Sequence, residues 1–527
     1  MRIRLVIFFM LGYGISYAQN ALVPLDIYST WHAERSIIDS AYEIHTEIKP
    51  LSNWEVLANG GKLSTEYVGK HLYEKSVDES YIRIEPRLNG TGFFESGSSS
   101  GPSIESFVGA AIVAGYKNKI KFSADGLLGY NEPVGYLRAV SDSLYVIPGY
   151  SRAKRQGGFG FEQTTINLSW RPSHVVELHA GRGKHFIGEG YRSLFISDYA
   201  PNYNYLRTDI NVWKLKYSVI YTQMLSAQGY PNGFYPTLNK YASMHYLSLN
   251  VTKWWTVGAF ETVVWESEDV TQRRELDINY LNPIIFFRPV EFSTGSSANS
   301  LLGFSSILRP ARGLSLYGNV LLDEFIMREV LAPVFARVYP DSAIQTGWWG
   351  NKQAYQAGIK YHEPFGWNDA TILAEVNVIR PYTYSHGNRN QDYVHQNHPL
   401  AHPLGANVLE WVAMVMWHPT ANWQLGLRAT FAQKGHTTST LQAGEEPMLP
   451  TLFLVNSPKY SYPLLQGSIR DLANVRLETA YTLVHDWNLR LETSVQYRSL
   501  TSKHISENVF IFSLGLRTAL WNHYRDI

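Results

Sequence analysis

The chain has 527 residues, a formal net charge of +1 and a pI near 7.8, which argues against a nucleic-acid-binding protein because such proteins carry a basic bias. It contains no cysteine, which excludes a disulfide scaffold and suits a bacterial envelope protein. Aromatic residues make up 14% of the chain at a mean hydropathy of -0.20, a combination that suits a protein that is apolar outside and polar inside.

The N-terminal residues predict export from the cytoplasm. Two arginines precede an apolar run over residues 5–15, and the small residues Ser16 and Ala18 suit a signal peptidase site. We therefore predict a signal peptide over residues 1–18. The later chain offers no run of eighteen apolar residues, so the sequence predicts no transmembrane helix.

Residues 19–77 differ in composition from the rest of the chain. Helix-forming stretches over 31–47 carry only a broken apolar stripe and end before Pro50. We predict a small, partly helical periplasmic segment here, with a disordered leader as the alternative. Further along, the Gly/Ser-rich stretch 91–104 predicts a loop.

From residue 78 onward the chain alternates apolar and polar residues with the period of a β-strand. Arg, Glu and Lys recur on one face of these strands, which suits a transmembrane barrel whose polar face lines a lumen and whose apolar face meets lipid. The pattern predicts eighteen strands, near residues 78–87, 106–116, 118–129, 162–170, 174–181, 204–210, 213–223, 241–251, 253–265, 300–309, 313–322, 351–361, 369–379, 407–418, 421–432, 473–485, 487–498 and 508–518.

Connection lengths support the same architecture. Short connections such as 117–118 and 419–422 alternate with long ones such as 130–161, 182–203 and 433–472. Outer-membrane barrels have short periplasmic turns, long external loops and an even strand count. We therefore predict an all-β, antiparallel outer-membrane β-barrel over residues 78–527, in which every external connection is long.

Tryptophan positions give an independent indication. Interfacial aromatic girdles flank the lipid-facing band of such barrels, and seven tryptophans flank the predicted short turns: Trp170, Trp213, Trp254, Trp367, Trp417, Trp423 and Trp487. A general preference of tryptophan for strands is the alternative explanation.

The stretch GRGKHFIGEGYRSLFISDYAP, residues 181–201, invites a phosphate-loop interpretation. It lacks the G-x-x-x-x-G-K-[ST] spacing, and no long helix follows it. We interpret it as an external loop between the fifth and sixth strands, with its glycines acting as hinges that let it fold over the barrel mouth.

Two further groups of residues suggest chemistry. Four loop histidines, His386, His395, His398 and His402, could bind a metal, but neighbouring prolines and the absence of cysteine favour polar loop residues. We predict neither a metal nor a cofactor.

Charged residues also recur on the loop side: Glu275, Arg288, Glu291, Asp323 and Glu324. A glycosidase would need two of these carboxylates about 5–10 Å apart. Paired charges in the lumen are the simpler interpretation. Because no nucleophile elbow is present either, we predict a protein that is not an enzyme.

Several sequence blocks together resemble one family. The stretch from Gly183 to Pro201 is similar to a sequence block of the capsule assembly Wzi family of outer-membrane proteins. The blocks KYASMHYLSLNVTKWW, ELDINYLNPIIFFRPVEFSTGS, LLDEF, RPYTYSH and HPLAHPLGAN look like gliding-motility RemB-type members from Bacteroidetes. The resemblance implies an eighteen-stranded barrel and a non-catalytic role in holding polysaccharide at the cell surface, and the RemB-type members imply a link to surface gliding.

The leading functional hypothesis is therefore an outer-membrane barrel whose external loops bind or organise capsular or surface polysaccharide. Tyrosine rings can stack on sugars, and arginine and lysine can pair with uronate or phosphate groups. The candidate binding residues are Arg182, Lys184, Glu189, Tyr191, Arg192, Asp198, Tyr199 and Tyr203. A simple packing role for them stays open, as do two other functions: a diffusion channel, and an adaptor whose residues 19–77 bind a motility or secretion partner.

Overall fold

Eighteen antiparallel strands close into a β-barrel in the computed structural model, which confirms the predicted fold class. Each strand pairs with the next along the chain, and the last pairs back with the first through Ile511–Arg517 and Asn89–Glu95. The structure describes residues 22–38, 44–58, 72–96, 103–144, 146–150, 154–155, 158–226, 238–267, 278–283, 298–324, 326–340, 344–449, 459–518 and 521–527.

The predicted strands agree closely with the observed ones. The barrel strands are β1 (Ser80–Glu95), β2 (Ser103–Tyr116), β3 (Ile120–Glu132), β4 (Phe159–Trp170), β5 (Val176–Gly183), β6 (Tyr203–Val212), β7 (Leu215–Leu225), β8 (Asn239–Thr252), β9 (Trp255–Glu266), β10 (Asn299–Ala311), β11 (Leu314–Leu322), β12 (Gln353–His362), β13 (Ala370–Ile379), β14 (Val408–Trp417), β15 (Trp423–His436), β16 (Ser468–Val484), β17 (Leu489–Ser502) and β18 (Ser506–Arg517). A short strand, Tyr73–Val77, also pairs with the start of β1.

The outer surface of the barrel is apolar. On β18 the side chains of Phe510, Phe512, Leu514 and Leu516 point outward and are 42–58% exposed, while the alternating residues between them face inward. Water would disfavour an apolar belt that continues from strand to strand, whereas the hydrocarbon of a membrane accommodates it. This belt is therefore the surface that contacts lipid.

The two ends of the barrel differ in connection length. At one end, here called the turn end, the connections are short, such as Lys117–Asn118–Lys119; at the other, the loop end, most are long. One prediction about the loop end is wrong, because only residues 503–505 separate β17 from β18. The predicted loop 91–104 is also shorter than expected, since β1 runs to Glu95 and β2 begins at Ser103.

Tryptophans mark the turn end as predicted. Trp170, Trp213, Trp254 and Trp423 lie beside the short turns and are 44–84% exposed. Indole rings favour the boundary between lipid and water, so this ring of tryptophans marks one edge of the lipid-facing belt.

The described residues include four α-helices besides the barrel strands: α1 (Ile27–Ser36), α2 (Asn53–Ala58), α3 (Gly135–Leu144) and α4 (Met327–Val338). The helix predicted over 31–47 instead spans Ile27–Ser36. It begins earlier because the side chain of Asp26 caps its start by accepting a 3.0 Å hydrogen bond from the Ser29 N–H. Among the helices of the described residues, none is long and apolar enough to span a membrane.

The N-terminal segment, residues 22–38 and 44–58, packs inside the turn end of the barrel. Its contacts reach turns at separate points of the circumference: the Trp54 indole donates to Asn118, and Glu55 pairs with Lys216 at 2.7 Å. It also has a small apolar core of its own, made of Val23, Ala33, Ile37, Ile44, Leu51 and Val56.

The barrel lumen is not uniformly polar, contrary to the composition-based expectation. A large apolar cluster fills part of it and joins inward-facing residues of β7–β11 to the two long connections 184–202 and 380–407. Buried members include Phe195, Met244, Phe260 and Tyr384. The main hydrophobic core of this protein therefore lies inside the barrel.

Candidate functional site

The connection between β5 and β6, residues 184–202, folds into the lumen and is here called the plug segment. Every residue from His185 to Asn202 is buried. The segment contacts inward-facing side chains of strands on the far wall, among them Gln356, whose amide donates to the Arg192 carbonyl at 3.0 Å. The prediction that this stretch lies over the barrel mouth is corrected, because the structure places it within the barrel.

Arg192 is the centre of a buried ionic network. Its guanidinium donates to Glu410 of β14 at 2.8 Å and to Asp526 at 3.1 Å. Glu410 also accepts from His402 at 2.7 Å and from Asn377 at 3.0 Å. Arg192 and Glu410 are both fully buried, so this arginine fastens the plug segment to the barrel wall.

The carboxylate of Glu375 on β13 holds the plug backbone directly. It accepts hydrogen bonds from the N–H groups of Tyr191 and Arg192 at 3.0 and 3.2 Å. A Cβ at Gly190 would lie 1.8 Å from a Glu375 oxygen. Glycine is required there because only a residue without a side chain lets the carboxylate approach the backbone this closely.

A second ionic network joins the plug segment to the N-terminal segment. Lys360 of β12 contacts Glu189 and also lies 2.7 Å from Glu34 of α1, and Lys49 lies 3.1 Å from Glu34. Burial alone would raise the pKa of Glu34, but Lys360 and Lys49 hold it well below its usual range. Residues 186–187 also pair with residues 48–49 as a two-residue antiparallel ladder.

The C-terminal segment, residues 521–527, also enters the lumen after β18. The Asn522 amide and the Tyr524 hydroxyl both donate to Asp198 of the plug segment, the former at 2.8 Å. Arg525 pairs with Glu105 of β2 at 2.8 Å. The N-terminal segment, the plug segment and the C-terminal segment therefore interlock within one barrel.

On its apolar side the plug segment packs through Phe195. The Phe195 ring stacks on Phe260 with centroids 5.0 Å apart. A Cβ at Gly303 of β10 would lie 2.3 Å from this ring. The strand therefore needs glycine at that position to leave space for the phenylalanine.

The three candidate sugar-stacking tyrosines are buried against protein. Tyr191, Tyr199 and Tyr203 are 3%, 4% and 1% exposed. Tyr191 and Tyr199 pack around Tyr524 at 5.6 and 5.7 Å between centroids. The rings therefore make the packing contacts that the sequence analysis left open, and a sugar could reach them only if the plug segment moved.

The charged candidates of the same stretch occupy three different environments. Lys184 donates to the carbonyls of Gly149 and Asp198 at 2.9 and 3.0 Å, and burial lowers its pKa to about 8. Glu189 and Asp198 are buried in the contacts described above. Arg182 instead lies on the outer face of β5, where it donates to Asn204 at 3.2 Å.

Two of the remaining charged candidates lie among the described residues, and three lie outside them. Asp323 is buried beside the end of β11, accepts from the Tyr384 N–H at 2.8 Å and has its pKa raised to about 6 by burial. Glu324 is partly exposed and lies 3.2 Å from Lys352. Glu275, Arg288 and Glu291 lie outside the described residues.

Two of the loop histidines, His395 and His398, are partners in one short antiparallel ladder. His402 contacts Glu410, and His386 lies 3.7 Å from Glu324. His395, His398 and His402 are buried, and burial lowers the pKa of His395 to about 3 and that of His398 to about 4. Within the ranges that the structure describes, no group of three or more His, Cys, Asp or Glu residues is arranged to hold a metal ion.

An aromatic cluster that the sequence analysis did not select lies at the loop end. It consists of Trp348, Trp349, Tyr382 and Tyr462, whose neighbouring ring centroids are 5.8–6.0 Å apart. Both tryptophans are partly exposed, whereas the two tyrosines beneath are buried. We call this group the loop-end aromatic cluster.

Three long connections build this cluster, those between β11 and β12, β13 and β14, and β15 and β16. Gly347 adopts a φ of +72°, and its carbonyl accepts from the Tyr462 N–H at 2.9 Å. The sequence signal was a tryptophan pair between two glycines, TGWWGN, far from any short turn. It could have been recognised, because this pair lies away from the predicted short turns that the selected tryptophans flank.

With this geometry defined, comparison with solved structures identifies the architecture. The barrel resembles Wzi of Escherichia coli, described as an outer-membrane, carbohydrate-binding β-barrel involved in group 1 capsule assembly. The TM-score is 0.55, with 14% identity over 95% of this chain and 100% of that one. The chain has the fold of an outer-membrane β-barrel. Together with its lipid-facing belt, this fold places it in the bacterial outer membrane.

Two barrels of Pseudomonas aeruginosa align less well. OprD and OccK8 (OprE) each give a TM-score of 0.44 and 10% identity, over 85% and 83% of this chain and 97% and 98% of theirs. No family model matches the chain, and no curated protein matches it. At such low identities the similarity is one of fold.

Proposed function

We propose that this protein is a non-catalytic outer-membrane barrel that binds or organises a surface polysaccharide through its loop end. The observation that carries the proposal is the contrast between the two regions described above. The plug segment occupies part of the lumen with buried contacts, while the loop-end aromatic cluster leaves two tryptophan rings partly exposed. A filled barrel with an aromatic surface at its outer end suits docking better than transport.

The chemistry of the cluster suits a sugar ligand. Indole rings offer apolar faces to the C–H surfaces of pyranose rings. The buried Lys352 lies 5.7 Å from the centre of the Trp349 ring and 3.2 Å from the partly exposed Glu324, so a carboxylate borders the aromatic surface. The fold of the carbohydrate-binding barrel Wzi and the family resemblance of the sequence blocks support the same ligand class.

A binding experiment tests this proposal. Purified protein is immobilised, and binding of surface polysaccharide is measured for the native chain and for a Trp348→Ala/Trp349→Ala variant. An aromatic anchor typically contributes about 2 kcal/mol, so we expect affinity to fall about 30-fold. The matched control is Trp213→Ala, which removes an 84% exposed indole at the turn end.

Two outcomes contradict the proposal. One is native protein that binds no surface polysaccharide; the other is an equal loss of affinity in the control. In our proposal the plug residues contribute by holding the loops in place without touching sugar. A Lys184→Ala/Arg192→Ala variant should therefore weaken binding only to the extent that hydrogen exchange shows the loops to be loosened.

Two other functions make different predictions. A passive diffusion channel requires stable ion conductance in planar bilayers, whereas a filled lumen predicts silence. An adaptor for gliding or secretion machinery, as the RemB-type resemblance implies, stays a prediction. It requires a partner that co-purifies with the native chain and is lost when residues 19–77 are deleted, while the barrel remains inserted.

A further inference from the structure

One part of the lumen wall is rich in arginine. Four arginines face inward from the neighbouring strands β15–β18, namely Arg428, Arg476, Arg490 and Arg517. Arg525 of the C-terminal segment approaches the same wall. All five line a single cavity. Two residues of its lining also contact the plug segment, Arg428 through Tyr191 and Asn522 through Asp198.

The cavity has a volume of about 90 Å³. Since one water needs roughly 15 Å³ of such space, the cavity has room for on the order of six waters. That is enough for a phosphate-sized oxyanion and too little for a polysaccharide chain. Its lining holds the five arginines and four carboxyl groups, those of Asp26, Glu105, Glu478 and Glu492.

The carboxylates orient the arginines. Glu492 lies 3.0 Å from Arg490 and 3.7 Å from Arg517 through its two oxygens. A single oxygen of Glu478 lies 2.9 Å from Arg476 and 3.8 Å from Arg428, while the other accepts from the Tyr28 hydroxyl. Each guanidinium carries five N–H donors in a fixed plane, so a carboxylate that engages one edge fixes the direction of the others.

Several N–H donors in the cavity lining have no hydrogen-bond partner among the described residues. They are the Nε atoms of Arg428, Arg490 and Arg517 and the Nε2 atom of Gln424, and all four belong to side chains that line the cavity. Buried N–H groups without partners destabilise the folded state, because they have lost their hydrogen bonds to water. A ligand that accepts hydrogen bonds from them would recover that free energy.

One unpartnered acceptor also belongs to the lining, the Oδ2 atom of Asp26. The other oxygen of Asp26 caps α1. Burial raises the pKa of Asp26, although this hydrogen bond and the positive charges of Arg490 and Arg517 act to lower it. The carboxyl group therefore takes a proton more readily than usual and opposes a bound anion less strongly than an ordinary aspartate would.

We propose that this cavity binds an oxyanion, a phosphate or carboxylate group that is either free or carried by an acidic saccharide. Guanidinium groups recognise such ligands with paired, charge-assisted hydrogen bonds. The size of the cavity limits the bound part to the anionic group and its immediate neighbours. This site is separate from the loop-end aromatic cluster and does not depend on polysaccharide binding there.

The test is calorimetric titration of the full-length protein in detergent and phosphate-free buffer. The three probes are inorganic phosphate, D-glucuronate and, as a neutral control, D-glucose. Binding of phosphate or glucuronate without glucose supports the proposal, and the stronger of the two identifies the source of the oxyanion. A native protein that binds neither anion overturns the proposal.

The decisive variant is Arg490→Gln/Arg517→Gln, for which we expect at least a tenfold loss of anion affinity. The matched control, Arg138→Gln/Arg312→Gln, removes the same charge from partly exposed arginines elsewhere and should bind as the native protein does. Equal losses in both would mean that only net charge matters and would overturn the proposal.

A second variant keeps the test decisive if the double arginine variant does not fold. Gln424→Leu removes one unpartnered N–H donor, together with the oxygen that accepts from Arg490 at 2.7 Å, without changing charge, and we expect a severalfold loss of affinity. Unchanged affinity in that variant contradicts the assignment of the donors. The Trp348→Ala/Trp349→Ala variant should retain native anion binding, so failure of this proposal and failure of the polysaccharide proposal are distinguishable.

Discussion

Arg192→Ala is the substitution that most directly tests how the plug segment is held. The native guanidinium donates to Glu410 and to Asp526 at 2.8 and 3.1 Å in a fully buried setting. Alanine removes the positive charge, so both buried carboxylates lose their ion pair with Arg192. We therefore expect the plug segment to leave its native position far more often than in the native protein.

The size of the effect follows from the network. Removing one partner of a buried ion pair costs about 3–5 kcal/mol. Glu410 keeps hydrogen bonds from His402 and Asn377, so we take the lower end, about 3 kcal/mol. Since each 1.4 kcal/mol is a tenfold change in an equilibrium, the population with a displaced plug segment should rise about 100-fold.

Hydrogen exchange of peptides from residues 186–202, read by mass spectrometry, measures that population directly. Planar-bilayer recording should show rare openings in the variant and silence in the native barrel. The control is Arg312→Ala, which breaks the Arg312–Glu363 pair at 61% exposure of the arginine side chain; such surface pairs contribute about 0–1 kcal/mol. Native exchange rates in Arg192→Ala would refute the reasoning.

Three further substitutions test separate parts of the interior. Gly303→Ala would place a Cβ 2.3 Å from the Phe195 ring, and such overpacking should lower the free energy of unfolding by about 1–3 kcal/mol in denaturant titrations. Lys360→Met removes the cation shared by two buried carboxylates, and we expect a loss of about 3–5 kcal/mol in the same assay. Lys184→Met tests pH dependence, because burial lowers the Lys184 pKa from 10.5 to about 8. The folded state therefore binds fewer protons than the unfolded state between those pH values, and native stability should gain about 3 kcal/mol as the pH rises through this window, a gain that the variant should lack.

Each of these has a matched comparison. Gly318→Ala meets only the Gln356 carbonyl at 3.8 Å and should be close to neutral, so an equal loss there would contradict the packing argument. Lys214→Met, an exposed lysine at a turn, controls for loss of charge. If native protein and Lys184→Met show parallel stability curves from pH 8 to 10.5, the pH dependence has another origin.

The barrel itself could be predicted because its determinants are local. Alternation in β15 and β17 places Leu427 and Leu491 outward and Arg428 and Arg490 inward, as the sequence pattern indicated. In a membrane strand, side-chain direction depends only on the period of two and on which face meets lipid. Strand number, connection lengths and the tryptophans at the turn end follow from the same pattern.

The candidate site was predicted less well because its residues act through long-range partners. Tyr199 reads as a surface ring in a polar, glycine-rich loop, yet it is 4% exposed. Its burial depends on Tyr524 and His398, which lie far away along the chain. Conversely, Trp348 and Trp349 become a surface feature only because three distant connections converge beneath them.

The amino-acid sequence alone determined that this chain forms an antiparallel barrel with an apolar outer face, because that outcome needs only a repeating pattern and a lipid solvent. Tertiary structure decided what fills the barrel. A loop rich in glycine and charge can lie over a mouth or inside a lumen. The choice here depends on Arg192 meeting Glu410, on Glu189 meeting Lys360 and on Phe195 finding space beside Gly303. Such buried pairs stabilise a structure only when both partners are in position, and no local pattern specifies the partner.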